Sequence, residues 1–213
     1  MTGRSDAAAF VNRASRESSL EDVTVRAVTC CGGEIALVYQ PTMKSGRFTS
    51  LLRDYRDDAF LISVQMTDLA SLESHLKANV SYNPRHCLGS VRISDLRGGR
   101  YQFLSERAEW VHFYLPLAYL ADLLSMTGRE VEIDMIDPFG AASVELHALC
   151  CILAPILRDG KKANACFIEN LAMAGARIIV DRYTAEGPSA RSGISERLTV
   201  IPLPTRGLNA AMA

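Results

Sequence analysis

The side chains able to bind a metal ion or move protons are few and scattered. The chain has four histidines, and these are His75, His86, His112 and His147. A histidine-based metal site in a β-barrel needs a His-x-His pair, a Glu a few residues later and a further His, so that imidazoles and a carboxylate converge on one ion. No histidine here has such neighbours. The sequence therefore predicts no metal site and no cofactor.

Nucleophile motifs are also missing. There is no G-x-S-x-G segment. His86 and Cys87 are sequence neighbours, which places them on opposite faces of a strand rather than within reach of one another. Gly32-Gly33 and Gly98-Gly99 lack the pattern of a phosphate-binding loop, so we interpret them as turns. The sequence therefore predicts no catalytic residue.

The cysteines show neither a C-x-x-C motif nor the Cys/His spacing of a zinc site. The six are Cys30, Cys31, Cys87, Cys150, Cys151 and Cys166. We expect reduced, structural thiols in a cytoplasmic protein. A redox-sensing role for one of the two adjacent pairs is the alternative.

Length and charge limit the function classes. The chain has 213 residues, of which 48% are hydrophobic, and a formal net charge of −1. The near-neutral total gives no sign of the basic surface typical of nucleic-acid binders. No apolar run approaches the roughly 18 residues of a membrane span, and the N-terminal apolar run is too short for a signal peptide. We expect a flexible leader at 1–22, one domain at 23–183, and a linker or tail at 184–213.

Short strands dominate the first half of the chain. Ala59–Thr67 is the clearest, because Phe60, Ile62, Val64 and Met66 alternate with residues on its other face. The remaining predicted strand segments are Val23–Thr29, Ile35–Tyr39, Leu76–Tyr82, Gly89–Leu96, the region of Tyr101 and Phe103, and Trp110–Leu115. Six to eight strands joined by tight turns indicate a sandwich-like β half.

Helices dominate the second half. Pro116 ends a strand and begins a helix with leucines on one side. Asp137-Pro138 precedes an apolar helix that contains Pro155, which predicts a kink or two pieces. Arg158–Lys162 interrupts the pattern, and a further helix follows over Phe167–Tyr183. The fold class is therefore α+β, with a β-sandwich or barrel followed by a C-terminal helical hairpin.

The helical half resembles the end of the N-terminal domain in AraC-type transcription regulators. The likeness lies in Asp137-Pro138, the apolar helix, the short turn and the segment Phe167–Tyr183. The strand Ala59–Thr67 and the strand-Pro-helix unit His112–Leu120 are similar to the cupin-like sensing domains of the same family. The match covers about Phe48–Tyr183. It implies a cupin-like β-sandwich or barrel, effector sensing, and dimerisation through the helices.

The resemblance also implies a linker and two helix-turn-helix units after the sensing domain. Only Thr184–Ala213 follow here, with glycines and prolines spread through them, and such a segment cannot supply two trihelical units. We therefore expect the regulatory half alone, reaching DNA only through a helix-turn-helix domain not present in this chain.

The resemblance directs attention to the inner face of the β half. The inward side chains of a barrel line a cavity that can hold a small effector. The predicted ligand-binding residues are Phe60, Ile62, Val64, Met66, Tyr101, Phe103 and Phe113. The alternative is that they simply fill the core. Tyr101 and Tyr114 are the polar candidates, because a buried phenol requires a hydrogen-bond partner.

The last helix carries a predicted dimer contact. Ala174 and Gly175 would let two helices approach closely, and Leu171 and Ile178 would flank them. We therefore predict a homodimer through Phe167–Tyr183. Two other functions remain open, namely a cupin-like small-molecule enzyme and a stand-alone protein-interaction module.

Overall fold

The computed structural model describes residues 7–19, 27–30, 34–41, 56–67, 87–98, 108–126, 133–138, 140–159 and 164–184. These residues form five strands and four helices, which confirms the α+β class. The elements are α1 (Ala7–Ser19), β1 (Ala27–Cys30), β2 (Ile35–Gln40), β3 (Ala59–Gln65), β4 (Val91–Asp95), β5 (Trp110–Pro116), α2 (Leu117–Ser125), α3 (Val144–Asp159) and α4 (Ala165–Tyr183). No described helix is long and apolar enough to span a bilayer.

The strands form one antiparallel sheet in the order β1-β2-β5-β3-β4. β5 is therefore the central strand, as its β-branched and aromatic composition predicts. The register sets Phe113 opposite both Leu37 and Ile62, and it sets His112 opposite Val38 and Ser63. Side chains from three strands thus line up in rows across each face.

The two faces of the sheet differ in what covers them. The first face carries the larger aliphatic and aromatic side chains and packs with leucines of α3 and residues of α4 in the main core. The second face carries Ala36, Val38, Leu61 and Tyr114 and packs with Ala7 and Phe10 of α1. Every residue of β3 and of β5 is buried. The polar residues on the second face are therefore inside the protein.

Local sequence explains the helix ends. Pro116 has extended backbone and caps α2, as its fixed φ favours. Asn164 caps α4, because its side-chain oxygen accepts a hydrogen bond from the backbone N–H of Cys166 at 3.0 Å. Pro155 lies within α3, and the helix continues through it to Asp159.

The leader prediction is wrong for part of the N-terminus. We predicted a flexible segment over residues 1–22, but residues 7–19 form α1. Ala7 and Phe10 are buried, and the Phe10 ring stacks on Tyr114 with centroids 4.3 Å apart. The helix is held because these two apolar residues, one turn apart, reach the second face of the sheet.

Other predicted elements differ in their limits or lie outside the described residues. The described strand β1 is Ala27–Cys30, and residues 23–26 of the predicted strand lie outside the described residues. β3 ends at Gln65 rather than Thr67. The predicted strand Leu76–Tyr82, the strand at Tyr101 and Phe103 and the Gly32-Gly33 turn fall outside the described residues.

Candidate functional site

The predicted ligand-binding residues lie between the sheet and the helices. Phe60, Ile62, Val64 and Phe113 are fully buried in the main core, and Met66 is partly buried against it. A Cβ added at Gly175 of α4 would lie 2.5 Å from the Phe113 ring, so the helix backbone already touches that side chain. Tyr101 and Phe103 lie outside the described residues. The packing favours the core-filling alternative for the described members of this set.

A buried polar row lies on the second face. The imidazole of His112 has its Nδ1 2.9 Å from Ser63 Oγ and its Nε2 3.2 Å from Gln40 Oε1. His112, Ser63 and Gln40 are at most 3% exposed. Trp110 and Gln65 extend the row, because Trp110 lies opposite Gln40 on β2 and opposite Gln65 on β3 in the sheet register. We call His112, Ser63, Gln40, Gln65 and Trp110 the polar face.

Strand alternation explains why these side chains meet. In β5, the positions of His112 and Trp110 alternate with those of Phe113 and Val111, which face the helices. In β3, Ser63 and Gln65 alternate likewise with Ile62 and Val64. The same pattern that builds the apolar core therefore delivers hydroxyl, amide and imidazole groups to the opposite side.

Burial fixes the protonation state of His112. Desolvation lowers the pKa of the imidazole from 6.5 to about 3, because a charged ring loses its hydration inside the protein. With the amide oxygen of Gln40 towards the ring, Nε2–H donates to Gln40, and Nδ1 accepts the hydroxyl hydrogen of Ser63. A base with so low a pKa is a poor acceptor for the proton of a serine hydroxyl. The pair is therefore suited to hydrogen bonding rather than to nucleophilic catalysis.

Two further contacts hold the surroundings of the polar face. Gln65 Nε2 donates to the carbonyl of Thr67 at 2.6 Å, which fixes the amide. The Tyr114 hydroxyl donates to Asp57 Oδ2, and Phe10 covers the Tyr114 ring. The aromatic rings on this side of β5 are therefore those of Trp110 and Tyr114, with the imidazole of His112 between them.

The arginine side chain of Arg92 lies at the end of the row that is formed by the edge strand β4. Arg92 is opposite Ser63 in the register. Its Nε is buried, has no hydrogen-bond partner among the described residues, and lies 3.7 Å from Asp137 Oδ2. An incompletely bonded guanidinium N–H is costly to bury unless another acceptor is supplied. Arg92 is therefore a further candidate for contact with a ligand.

The predicted dimer residues fall into two groups. Gly175 is buried against Phe113 of its own chain, so an internal contact explains its small size. Leu171 and Ile178 are partly buried against the main core, whereas Ala174 is exposed. Phe167 and Met173 add exposed apolar surface to the same helix. The surface of α4 that is available for a dimer contact is therefore formed by Ala174, Phe167 and Met173 rather than by Gly175.

Four cysteines are free, namely Cys87, Cys150, Cys151 and Cys166. Cys150 is buried, and burial raises the pKa of its thiol. Cys151 is exposed, and its Sγ lies 3.6 Å from His147 Nε2. The i, i+4 spacing of His147 and Cys151 on a helix was the sequence signal for this pair, and a search for zinc and strand spacings misses it.

Within the described ranges, no three His, Cys, Asp or Glu side chains are grouped so that they could share a metal ion. Comparison with known proteins gives no further guide: no protein-family model, curated protein or solved structure matches this chain.

Proposed function

We propose that this chain is a cytoplasmic effector-sensing and dimerisation module of the type found in AraC-type transcription regulators. It acts on DNA through an associated helix-turn-helix domain and has no chemistry of its own. The observation that carries the proposal is the sheet with two different buried faces. One face is apolar and packs on two helices, whereas the other holds a hydrogen-bonding row.

The proposed architecture is a cupin-like β-sandwich or barrel with a helical hairpin against its outer side. The antiparallel order of the five strands supports this arrangement. So does the contact of α3 and α4 with each other and with the sheet. In this arrangement the helix-covered face is the outer one and the polar face is the inner one.

We place the effector on the polar face rather than among the apolar residues predicted from the sequence. In this proposal the effector contacts His112, Ser63 and Gln40, which are oriented by their mutual hydrogen bonds, and the flat ring of Trp110, and all four side chains are buried. A few converging polar groups beside aromatic side chains are typical of small-molecule sites. The chemical class that fits is a small molecule with hydroxyl or carboxylate groups, the latter suited to Arg92.

A thermal-shift screen tests the effector proposal. The wild-type chain is heated with a panel of monosaccharides, sugar acids and hydroxybenzoates. A binder at a hundred times its Kd stabilises by about 2.7 kcal/mol, which is roughly 5–10 °C for a chain of this size. The same compounds are then tested on Ser63→Ala, which loses the hydroxyl beside His112, and on Ala118→Glu, an exposed control on α2.

We expect a binder to shift wild type and Ala118→Glu alike and to lose most of its shift in Ser63→Ala. A shift that survives in Ser63→Ala but is lost in Phe113→Leu would return the site to the apolar face. A panel that produces no shift in the wild type would contradict the effector proposal.

A further inference from the structure

His147 and Cys151 form a thiol–imidazole pair on the exposed side of α3. The sulfur and Nε2 lie 3.6 Å apart. The Cys151 side chain is exposed, whereas that of the adjacent Cys150 is buried. A solvent-accessible thiol and a base within reach of its proton therefore occur together, which is the minimal arrangement of an activated cysteine.

Packing holds the imidazole in place. A Cβ added at Gly89, which has φ +78°, would lie 3.1 Å from the Cβ of His147. The backbone of Gly89 thus lies directly against the base of this side chain. The backbone N–H of His147 donates to the carbonyl of Ser143 at 2.9 Å, within the first turn of α3. These contacts fix the backbone and the Cβ of His147 on the side of α3 that carries Cys151, from which the ring reaches the sulfur.

The surface around the thiol is apolar. Val144, Ala148 and Ile152 are exposed on α3, as Cys151 is. Val144 and Ala148 lie one turn apart, and so do Ala148 and Ile152, so they form a stripe beside the sulfur. Such a stripe offers contact area to a small apolar molecule and little to a strongly hydrated one.

We propose that Cys151 is a site of covalent addition by small conjugated-carbonyl electrophiles, with His147 as the proton acceptor. The sulfur forms a bond to the β-carbon of the α,β-unsaturated carbonyl. The thiol proton passes to His147 Nε2 and is then delivered to the α-carbon, where the electron pair of the former double bond receives it. The adduct contains every atom of both reactants, so the step needs no oxidant and releases no leaving group.

The test is peptide-resolved mass spectrometry of the folded full chain during reaction with limiting N-ethylmaleimide. The chain contains two matched controls, since Cys166 and Cys87 are also free and exposed. Their sulfurs lie beside the amide of Asn170 and the hydroxyl of Ser90 instead of an imidazole. We expect Cys151 to react roughly tenfold faster than Cys166, which is less than the roughly 10²–10⁴-fold of a buried, positioned base because the pair is exposed.

His147→Gln tests the role of the imidazole. We expect this variant to react at Cys151 about as slowly as at Cys166, with an unchanged thermal midpoint and an unchanged rate at Cys87. An unchanged fast rate at Cys151 in this variant overturns the assignment to His147. If the substitution disturbs folding, the wild-type comparison decides alone, and equal rates at Cys151 and Cys166 overturn the proposal.

Discussion

His112 shows how strongly one residue depends on its surroundings. Its ring is 1% exposed and is bonded to two uncharged side chains, those of Ser63 and Gln40. The unfolded chain binds a proton at this ring below pH 6.5, whereas the folded chain does so only near pH 3. Protonation therefore favours the unfolded state between these two values.

We predict that the free energy of unfolding falls as the pH is lowered from 6.5 towards 3. The contribution of His112 is about 1.4 kcal/mol per pH unit in that window. Urea denaturation of the wild type and of His112→Gln at pH 7.5, 6 and 5 isolates the contribution of His112, because the carboxylates titrate in both proteins and their effect cancels in the comparison. The two pH dependences should differ by about 2 kcal/mol at pH 5. Parallel curves would contradict the buried, neutral imidazole.

Gly175 carries a second prediction at this scale. A methyl group there would lie 2.5 Å from the Phe113 ring, so Gly175→Ala forces the ring or the helix to move. Overpacking costs about 1–3 kcal/mol, partly offset by the roughly 1 kcal/mol that alanine contributes in a helix. We expect a net loss of about 1 kcal/mol in urea denaturation.

Two further variants test whether the effect of Gly175→Ala arises from a clash with Phe113. Gly98→Ala should be nearly neutral, because an added Cβ there meets nothing within 4 Å. In a Phe113→Leu background the smaller side chain leaves room, so the penalty of Gly175→Ala should shrink or change sign. An equal penalty in both backgrounds would show that the clash is not with Phe113.

At the scale of elements, sequence patterns predicted where strands and helices form better than they predicted which elements pack against one another. The helix from Val144 and the helix ending at Tyr183 follow from apolar spacing and charged breaks, and both are confirmed. Helix α1 was missed because few of its described side chains reach the core: Ala7 and Phe10 are buried, and Val11 is partly buried against them. Such a short apolar pattern becomes helix-stabilising only when a surface is available to it.

Alternation also could not identify the functional face. The sequence correctly separates Ile62 and Val64 from Ser63 and Gln65. It does not say which set meets the helices, because that depends on the crossover of the chain after β5. The sequence therefore did not predict the buried polar row, because polar residues that alternate with apolar ones in a strand are expected to face solvent.

The docking of α1 gives a prediction at this scale. Phe10 is 2% exposed and stacks on Tyr114. Phe10→Ala should lower the free energy of unfolding by about 3 kcal/mol, the usual cost of removing a buried phenyl ring. Asn12→Ala, at an exposed position of the same helix, should change it by less than about 0.5 kcal/mol. Equal effects of the two changes in urea denaturation would contradict the docked helix.

At the scale of the whole molecule, the helices leave apolar surface uncovered. Ile152 of α3 and Phe167 and Met173 of α4 are each more than a third exposed, and Ala174 lies beside Met173. Exposed apolar side chains on neighbouring elements indicate an interface. A second copy of the same chain is the commonest partner, because a two-fold contact covers the same surface on both protomers.

We therefore predict a homodimer in which α4 of one protomer contacts α4 of the other. Ala174→Glu places a charge in that contact without touching the core, since Ala174 is exposed in the single chain. Leu171 and Ile178 are poorer choices because both also pack on the main core.

Burying an unpaired carboxylate costs several kcal/mol, enough to dissociate a micromolar dimer. Light scattering at about 100 μM should give a dimer for the wild type and a folded monomer for Ala174→Glu. Ala118→Glu, the same change on α2, should remain dimeric, and a wild-type chain that scatters as a monomer would refute the contact.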